Sequence, residues 1–366
     1  MARKLKADKW LFLSTLLLVC SSVVMVYSAS APLAMDQYSQ PYFFLFKQIT
    51  WVGLGVLLLL LASQVDYRNL KQPAIVWTVL GIAVLALLLV LTRPAINGTN
   101  RWFNVAGIGI QPSEFAKLAV VFFVAAMLEK RMDRINDVSY TLLPIAVAAG
   151  VVTGLIYLQP DYGTALTLLL IIGAMVFVAG LSYRYLVWVS ATMIPLLYIV
   201  LMSAEYRRRR LLAFLDPWDD PFGDGFQLIQ SQIAVGTGGV FGKGLMGSVQ
   251  KLSYLPYPHT DFIYAVISEE TGLIGASVVL LCFCVIAWRG LRVAALAPDR
   301  FGSLVAVGVT TMVSLQAFIN ISVVLGLMPT KGIPLPFVSM GGSSLLVNLL
   351  GMGVLLNISQ HASSDT

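Results

Sequence analysis

The sequence predicts an all-α integral membrane protein with about ten transmembrane helices, both termini cytoplasmic, and one long extracytoplasmic loop between helices seven and eight. Three observations carry this expectation. Apolar residues make up 58% of the 366-residue chain, charged residues make up 11%, and the mean hydropathy is +0.83, far from the composition of a water-soluble domain. The 24 basic and 18 acidic side chains fall mostly between long uncharged runs. A bilayer core is crossed by about 20 apolar residues in a helix, and runs of that kind occupy 10–28, 43–63, 73–91, 112–128, 142–158, 164–180, 186–203, 261–287, 303–325 and 343–357.

The first run follows Arg3, Lys4, Lys6 and Lys9 and precedes Ser28-Ala29-Ser30-Ala31, small residues of the kind found at a signal cleavage site. It is longer than a signal core and nine runs follow it, so it is expected to stay as an uncleaved anchor. The fourth run opens on Pro112 and Ser113, a good helix start. Runs five and six are separated by the turn Gln159-Pro160-Asp161-Tyr162-Gly163, and the eighth opens after Pro258-His259-Thr260. Before the tenth, residues 328–336 hold too many prolines for continuous helix, so a broken or re-entrant segment is expected there.

Lys and Arg set the orientation. Loops on the N-terminal side hold 13 of them against 10 opposite, counting Lys47 at the outer mouth of the second run, and 13 against 4 once the long 204–260 segment is set aside; long loops weigh little in this rule. Both termini are therefore expected in the cytoplasm, and the loops 92–112, 159–163, 204–260 and 326–342, rich in Gly, Pro, Trp and charges, on the outer face. The net charge of +6 does not indicate nucleic acid, because no basic stripe interleaves with aromatics. Cys20, Cys282 and Cys284 sit in apolar runs and read as small buried hydrophobes. No repeat or linker divides the chain, so residues 1–366 are expected to form one membrane domain.

Ionisable groups inside or at the mouth of a span are costly, which makes each one a functional candidate. Glu114 and Lys117 are i and i+3 on one helix face. They are either a structural ion pair or a lysine held by a carboxylate and aimed at an anion such as a diphosphate. Asp161 stands at the outer end of the fifth run and Lys331 lies before the tenth. Asp261 is either a helix cap or, with its pKa lifted by partial desolvation, a general base. Glu269 lies deeper on the same helix, and Glu270 projects to the opposite side. Ser343 and Ser344 follow Gly341-Gly342 at a helix start that favours anions. Arg207 to Arg210 read equally well as a solvated face or as a grip on headgroups or a partner. The G-x-G-x-x-G at 242–247 follows no strand and is set aside as a nucleotide site; its glycines are expected to make tight turns. Asn97-Gly98-Thr99 matches a glycosylation acceptor, a pattern common by chance.

Together the motifs resemble a known family. Gly98-Thr99-Asn100-Arg101-Trp102, Gln111-Pro112-Ser113-Glu114-Phe115-Ala116-Lys117, Gln159-Pro160-Asp161-Tyr162-Gly163-Thr164, Asp216-Pro217-Trp218, Gly225-Phe226-Gln227-Leu228-Ile229-Gln230-Ser231, Pro258-His259-Thr260-Asp261-Phe262 and Pro334-Leu335-Pro336-Phe337-Val338-Ser339-Met340-Gly341-Gly342-Ser343-Ser344 stand in the order of the SEDS family (shape, elongation, division, sporulation) and span the chain. Ser248-Val249-Gln250-Lys251-Leu252 and Pro329-Thr330-Lys331-Gly332 are closer to its division branch than to its elongation branch. Two small departures are Tyr257-Pro258, where an acidic and a small residue are frequent, and Met340 in place of a frequent Tyr.

The resemblance implies a peptidoglycan glycosyltransferase. Such an enzyme polymerises lipid II into glycan on undecaprenyl diphosphate at the outer face of the bacterial inner membrane, at the septum, beside a class B penicillin-binding transpeptidase and other divisome proteins. It implies Asp261 as the catalytic aspartate. Arg101, Trp102, Glu114, Lys117, Asp161, His259, Thr260, Glu269, Lys331, Ser339 and Ser343 become the substrate-binding candidates. No cofactor is required, with room left for a divalent cation, Mg2+ or Mn2+, on carboxylates and diphosphate oxygens. Two competing readings are a lipid II flippase and a membrane scaffold for the transpeptidase. A transporter favours midplane charges and matched broken helices in two halves, whereas here the ionisable residues gather toward the outer side.

The orientation is testable. With the three native cysteines replaced, a membrane-impermeant maleimide added to spheroplasts is expected to label Gly98→Cys and not Arg134→Cys. The reverse pattern overturns the assigned sides.

Overall fold

The computed structural model describes residues 7–94, 100–105, 108–252 and 254–362. Arg3, Lys4 and Lys6 of the basic start and Asn97 to Thr99 of the glycosylation match lie outside them. Twelve α-helices are present: α1 Lys9–Tyr38, α2 Phe43–Gln64, α3 Pro73–Leu91, α4 Pro112–Arg131, α5 Leu143–Leu158, α6 Tyr162–Val178, α7 Tyr183–Met202, α8 Glu205–Leu215, α9 Phe226–Gly238, α10 Ile263–Leu296, α11 Arg300–Val324 and α12 Gly342–His361. Each of the ten expected runs falls on one of them. Seven helical segments among the described residues are long and apolar enough to cross a bilayer, namely α1, α2, α3, Val138–Leu158, α10, α11 and α12, and α6 is a shorter apolar helix. The chain is thus a multi-pass α-helical membrane protein.

Asp8 starts α1 by accepting from the backbone N–H of Trp10 and Leu11, both at 3.1 Å, which satisfies two first-turn donors. The helix runs well past the expected end at residue 28. Ser28, Ala29, Ser30 and Ala31 are weakly hydropathic, so the apolar signal stops there while the helix continues. Their small side chains are buried, the packing device of helices that approach closely within a membrane. Proline occupies the first turn of α3, α4 and α5, where its missing N–H costs no hydrogen bond. The central helices are α11 and α12, buried over most of their length. α12 packs chiefly on α2, and α11 on α10, α6 and α4.

Two features depart from the expected pattern. A short antiparallel hairpin precedes α4, with β1 Phe103–Val105 and β2 Ile108–Ile110 paired in the register Phe103 to Ile110. The 204–260 segment is not an irregular loop, since α8 and α9 lie within it. α9 buries Leu228, Ile229 and Ala234 and packs on α10, so its apolar face covers the bundle rather than crossing a bilayer.

Past α9, the glycine-rich stretch folds back on a break in α10. Gly272 has φ 66°, which interrupts the helix, and Gly242 sits so close that an added Cβ would stand 2.2 Å from the Glu270 carbonyl oxygen. The carbonyls released by the break find new donors: Lys243 N–H bonds Glu269 O at 2.9 Å and Gly244 N–H bonds Glu270 O at 3.0 Å. That satisfies the rule that buried backbone groups are paired. The side chains reinforce the contact. Glu269, fully buried, meets Lys243 Nζ at 2.7 Å, Ser248 Oγ at 2.5 Å and the Val249 N–H at 3.1 Å. Glu270 meets Lys251 Nζ at 2.7 Å and Ser28 Oγ at 2.6 Å.

Removing one partner of a buried pair leaves the other charge uncompensated and costs about 3–5 kcal/mol. Thermal unfolding in detergent should therefore show Lys251→Met strongly destabilised and Lys251→Met/Glu270→Gln largely restored. Equal midpoints for the two variants would argue against a buried pair at this position.

A candidate active site where helix N-termini meet

The N-terminal ends of α4, α6 and α12 and the turn leading into α10 are stitched together by side chains. Gln111, which precedes α4, donates its backbone N–H to Ser343 Oγ at 3.2 Å and its Nε2 to Asp161 Oδ2 at 3.0 Å. Asp161 caps α6, its Oδ1 accepting from Thr164 N–H at 3.2 Å. Arg101 donates Nε to the Gln159 carbonyl at 2.9 Å and Nη2 to that of Pro160, and lies 3.9 Å from Asp161. The turn before α10 joins the segment before α12 through Met340 N–H to His259 O at 2.9 Å. Ser339 Oγ completes that joint, donating to Thr260 O at 2.6 Å and accepting from Leu335 N–H at 2.7 Å. Each helix N-terminus carries a partial positive charge of about half a unit, so the assembled corner favours anions.

Asp261 lies in that corner. The residue preceding α10 is Phe262, and no side chain caps the helix, so of cap and general base the capping role is absent. Among the described residues no donor hydrogen-bonds the Asp261 carboxylate, and the side chain is only partly buried. Desolvation raises its pKa to about 6, against an opposing pull from the Arg210 guanidinium. His259 is buried, stacks on Phe44 with ring centroids 5.1 Å apart, and is driven by burial down to about 4, so it is neutral at physiological pH. Burial also lowers the Lys331 ammonium.

A cavity of about 130 Å³ opens beside this group, lined by Arg101, Asp161, Tyr162, Arg207, Arg210 and Lys331 together with Pro329 to Ile333. Asp261 borders it, since its Oδ2 stands 3.0 Å from where a Cβ on Gly332 would be. The Arg207 guanidinium lies over the Tyr162 ring at 4.6 Å, within cation–π range. Arg207 and Arg210 join the cavity lining beyond the residues singled out from sequence as substrate-binding. Their signal was present in the four consecutive arginines, of which i and i+3 share a face once α8 is recognised as a helix.

Other candidates sit elsewhere. Lys117 Nζ lies 3.0 Å from Glu114 and 3.1 Å from Gln316 Oε1; both ionic residues are buried and neither lines the cavity, which favours the structural reading of the pair. Glu269, expected near substrate, is fully engaged with the 243–250 segment. Trp102 lies over Gly109 of the hairpin, and Thr260 donates its hydroxyl to Tyr257 O at 3.1 Å. Among the described residues no three His, Cys, Asp or Glu side chains cluster as a metal site. A separate groove of about 590 Å³ between α2, α3, α4 and α12 is lined by apolar side chains and reaches Ile110 and Pro112 at the start of α4.

Comparison with known proteins agrees with this geometry. A family model described as "Cell cycle protein", built on FtsW, RodA and SpoVE, matches residues 8–364. A probable peptidoglycan glycosyltransferase FtsW of Geobacter sulfurreducens is 42% identical over 356 residues, covering 96% of this chain and 95% of that protein. Stage V sporulation protein E of Bacillus subtilis is 42% identical over 368 residues, covering 98% and 99%. A chain in a solved peptidoglycan synthase complex, described as coordinating polymerization and crosslinking, superposes with a TM-score of 0.80 at 31% identity, covering 98% of this chain and 99% of that one. With its motifs, helices and relatives in agreement over nearly its whole length, the chain belongs to the FtsW, RodA and SpoVE family of cell cycle proteins, the SEDS family.

Proposed function

We propose that this protein is a peptidoglycan glycosyltransferase that polymerises lipid II on undecaprenyl diphosphate at the outer face of the bacterial inner membrane during septal wall synthesis. The observation that carries the reading is a carboxylate with no capping role, its pKa raised to about 6, at the edge of a cavity lined by four cationic side chains. In the proposed step Asp261 takes the proton of the GlcNAc 4-hydroxyl of an acceptor lipid II. The resulting oxygen attacks the anomeric carbon of the MurNAc unit that ends the growing strand, with inversion, and the carbon–oxygen bond to undecaprenyl diphosphate breaks. Arg101, Arg207, Arg210 and Lys331 offset the charge that accumulates on the leaving diphosphate, aided by the helix N-termini. The apolar groove beginning at Ile110 and Pro112 is suited to an isoprenoid tail.

In this reading the ten helices matching the expected runs all cross the membrane, the termini are cytoplasmic, and α8 and α9 lie on the outer side. Glu114 and Lys117 act from behind the cavity wall. A divalent ion, Mg2+ or Mn2+, would be held by the diphosphate oxygens of the substrate, leaving the Asp261 carboxylate to act as base, and would supply further neutralisation of the leaving group. The partner is a class B penicillin-binding transpeptidase, consistent with the likeness to a synthase complex that couples polymerization to crosslinking.

General base assistance is worth about 10² to 10⁴ in rate. Purified Asp261→Asn is therefore expected to lose polymer formation by about that factor while still binding lipid II. A base must be deprotonated to act, so the rate of the unmodified protein should fall as pH drops through about 6 and hold above it. An active Asp261→Asn, or activity that rises below pH 6, contradicts the role. Labelled lipid II translocated in liposomes without polymer would favour the flippase; neither outcome, with partner added, would favour the scaffold.

A further inference from the structure

Two carboxamides on one face of α11 hold the site together. Gln316 and Asn320 are i and i+4, so one stands above the other on the helix surface. Asn320 Nδ2 donates to the Asp261 carbonyl at 2.7 Å and to the Ile333 carbonyl at 2.8 Å, using both donors of one amide group. Gln316 Nε2 donates to the Pro334 carbonyl at 3.0 Å, and its Oε1 accepts from Lys117 Nζ at 3.1 Å. Asn320 and Gln316 are buried. The accepting carbonyls belong to the turn before α10 and to the non-helical segment before α12, where no helical N–H is available to them. Reversing the Asn320 amide would set its oxygen against two carbonyl oxygens, so this orientation is fixed.

The clamp has a geometric consequence. It ties the backbone of Asp261 to that of Ile333, and so sets the Asp261 carboxylate against Gly332 at the cavity edge. We propose that Asn320 is the positioning residue for Asp261, and that Gln316, backed by the Glu114 and Lys117 pair, steadies the same junction through Pro334. The proposal rests on the reading of Asp261 as the base. It gives the buried pair on α4 a function without contact to substrate: Lys117 orients Gln316, and Gln316 holds the segment that faces Asp261.

Because a displacement of about 1 Å in a reacting group costs about a hundredfold in rate, the effect belongs in kcat. Purified full-length Asn320→Ala is expected to lose about a hundredfold in kcat for lipid II polymerisation with KM changed by no more than about twofold. Gly332→Ala perturbs the same relation more mildly, since its Cβ would stand 3.0 Å from Asp261 Oδ2 and ask the carboxylate to give by a few tenths of an ångström. The double variant should fall little below the weaker single variant, because both displace one relation. Unchanged kcat in folded Asn320→Ala, or a loss carried by KM, overturns the proposal. Should Asn320→Ala not fold, Asn320→Ser, which withdraws at least one of the two donations made by Nδ2, is measured in its place, and unchanged kcat in it overturns the proposal. Asp261→Asn, run in parallel, separates the two claims. If it is inactive while the clamp variants are normal, only the clamp fails; if it is fully active, the reading of Asp261 fails and the clamp falls with it.

Discussion

Irregular backbone held inside a helical bundle must find hydrogen-bond partners among side chains or other unpaired backbone groups, because neither water nor a regular ladder supplies them. Two segments of this protein live under that constraint. The stretch after α9 gives its amides to the carbonyls released at the Gly272 break, with Lys243 and Lys251 neutralising Glu269 and Glu270. The segment before α12 gives its carbonyls to Gln316 and Asn320, and Ser339 joins it to the turn carrying Asp261. Most buried polar groups in this region are there to hold backbone.

Against that background the carboxylate of Asp261 is the exception. Asp161 caps a helix, Glu114 holds a lysine, and Glu269 and Glu270 each hold both a lysine and a serine. Asp261 is instead anchored through its carbonyl, which leaves its side chain at the cavity edge without a donor among the described residues. Anchoring the main chain while leaving the carboxylate unengaged is what a proton acceptor requires. Its charge is raised in energy by desolvation, and its position is fixed by bonds that do not consume it. The cations that would receive a diphosphate come from three separate parts of the chain, Arg101 before the hairpin, Arg207 and Arg210 on α8, and Lys331 before α12.

Much of the fold was legible in the sequence because a membrane helix announces itself by an uninterrupted apolar run. All ten runs fell on helices. What stayed hidden was structure whose cause is tertiary. Past the apolar run, α1 continues through Ser28 to Ala31, small buried residues of which Ser28 bonds Glu270 of α10, rather than through hydropathy. α8 and α9 carry too much charge or glycine to register as spans, and the hairpin pairs only three residues on each side. In the site, Asp261, Asp161, Arg101 and Lys331 could be singled out as ionisable groups near span ends. Gln316 and Asn320 could not, since uncharged amides in an apolar helix carry no signal until their acceptors are seen. Glu269 carries a related lesson: an acid on a membrane helix reads as functional from sequence, and the structure sets a lysine from a distant segment against it.

The central claim is that the Asp261 carboxylate accepts the proton in sugar transfer. It is tested most directly by chemical rescue, measured as the single-turnover rate of glycan transfer by purified Asp261→Ala with and without added formate. The account predicts a rate near background that formate partly restores, because a small carboxylate can occupy the vacated space and serve as the base. Transfer by Asp261→Ala at the rate of the unmodified protein, independent of formate, would contradict it.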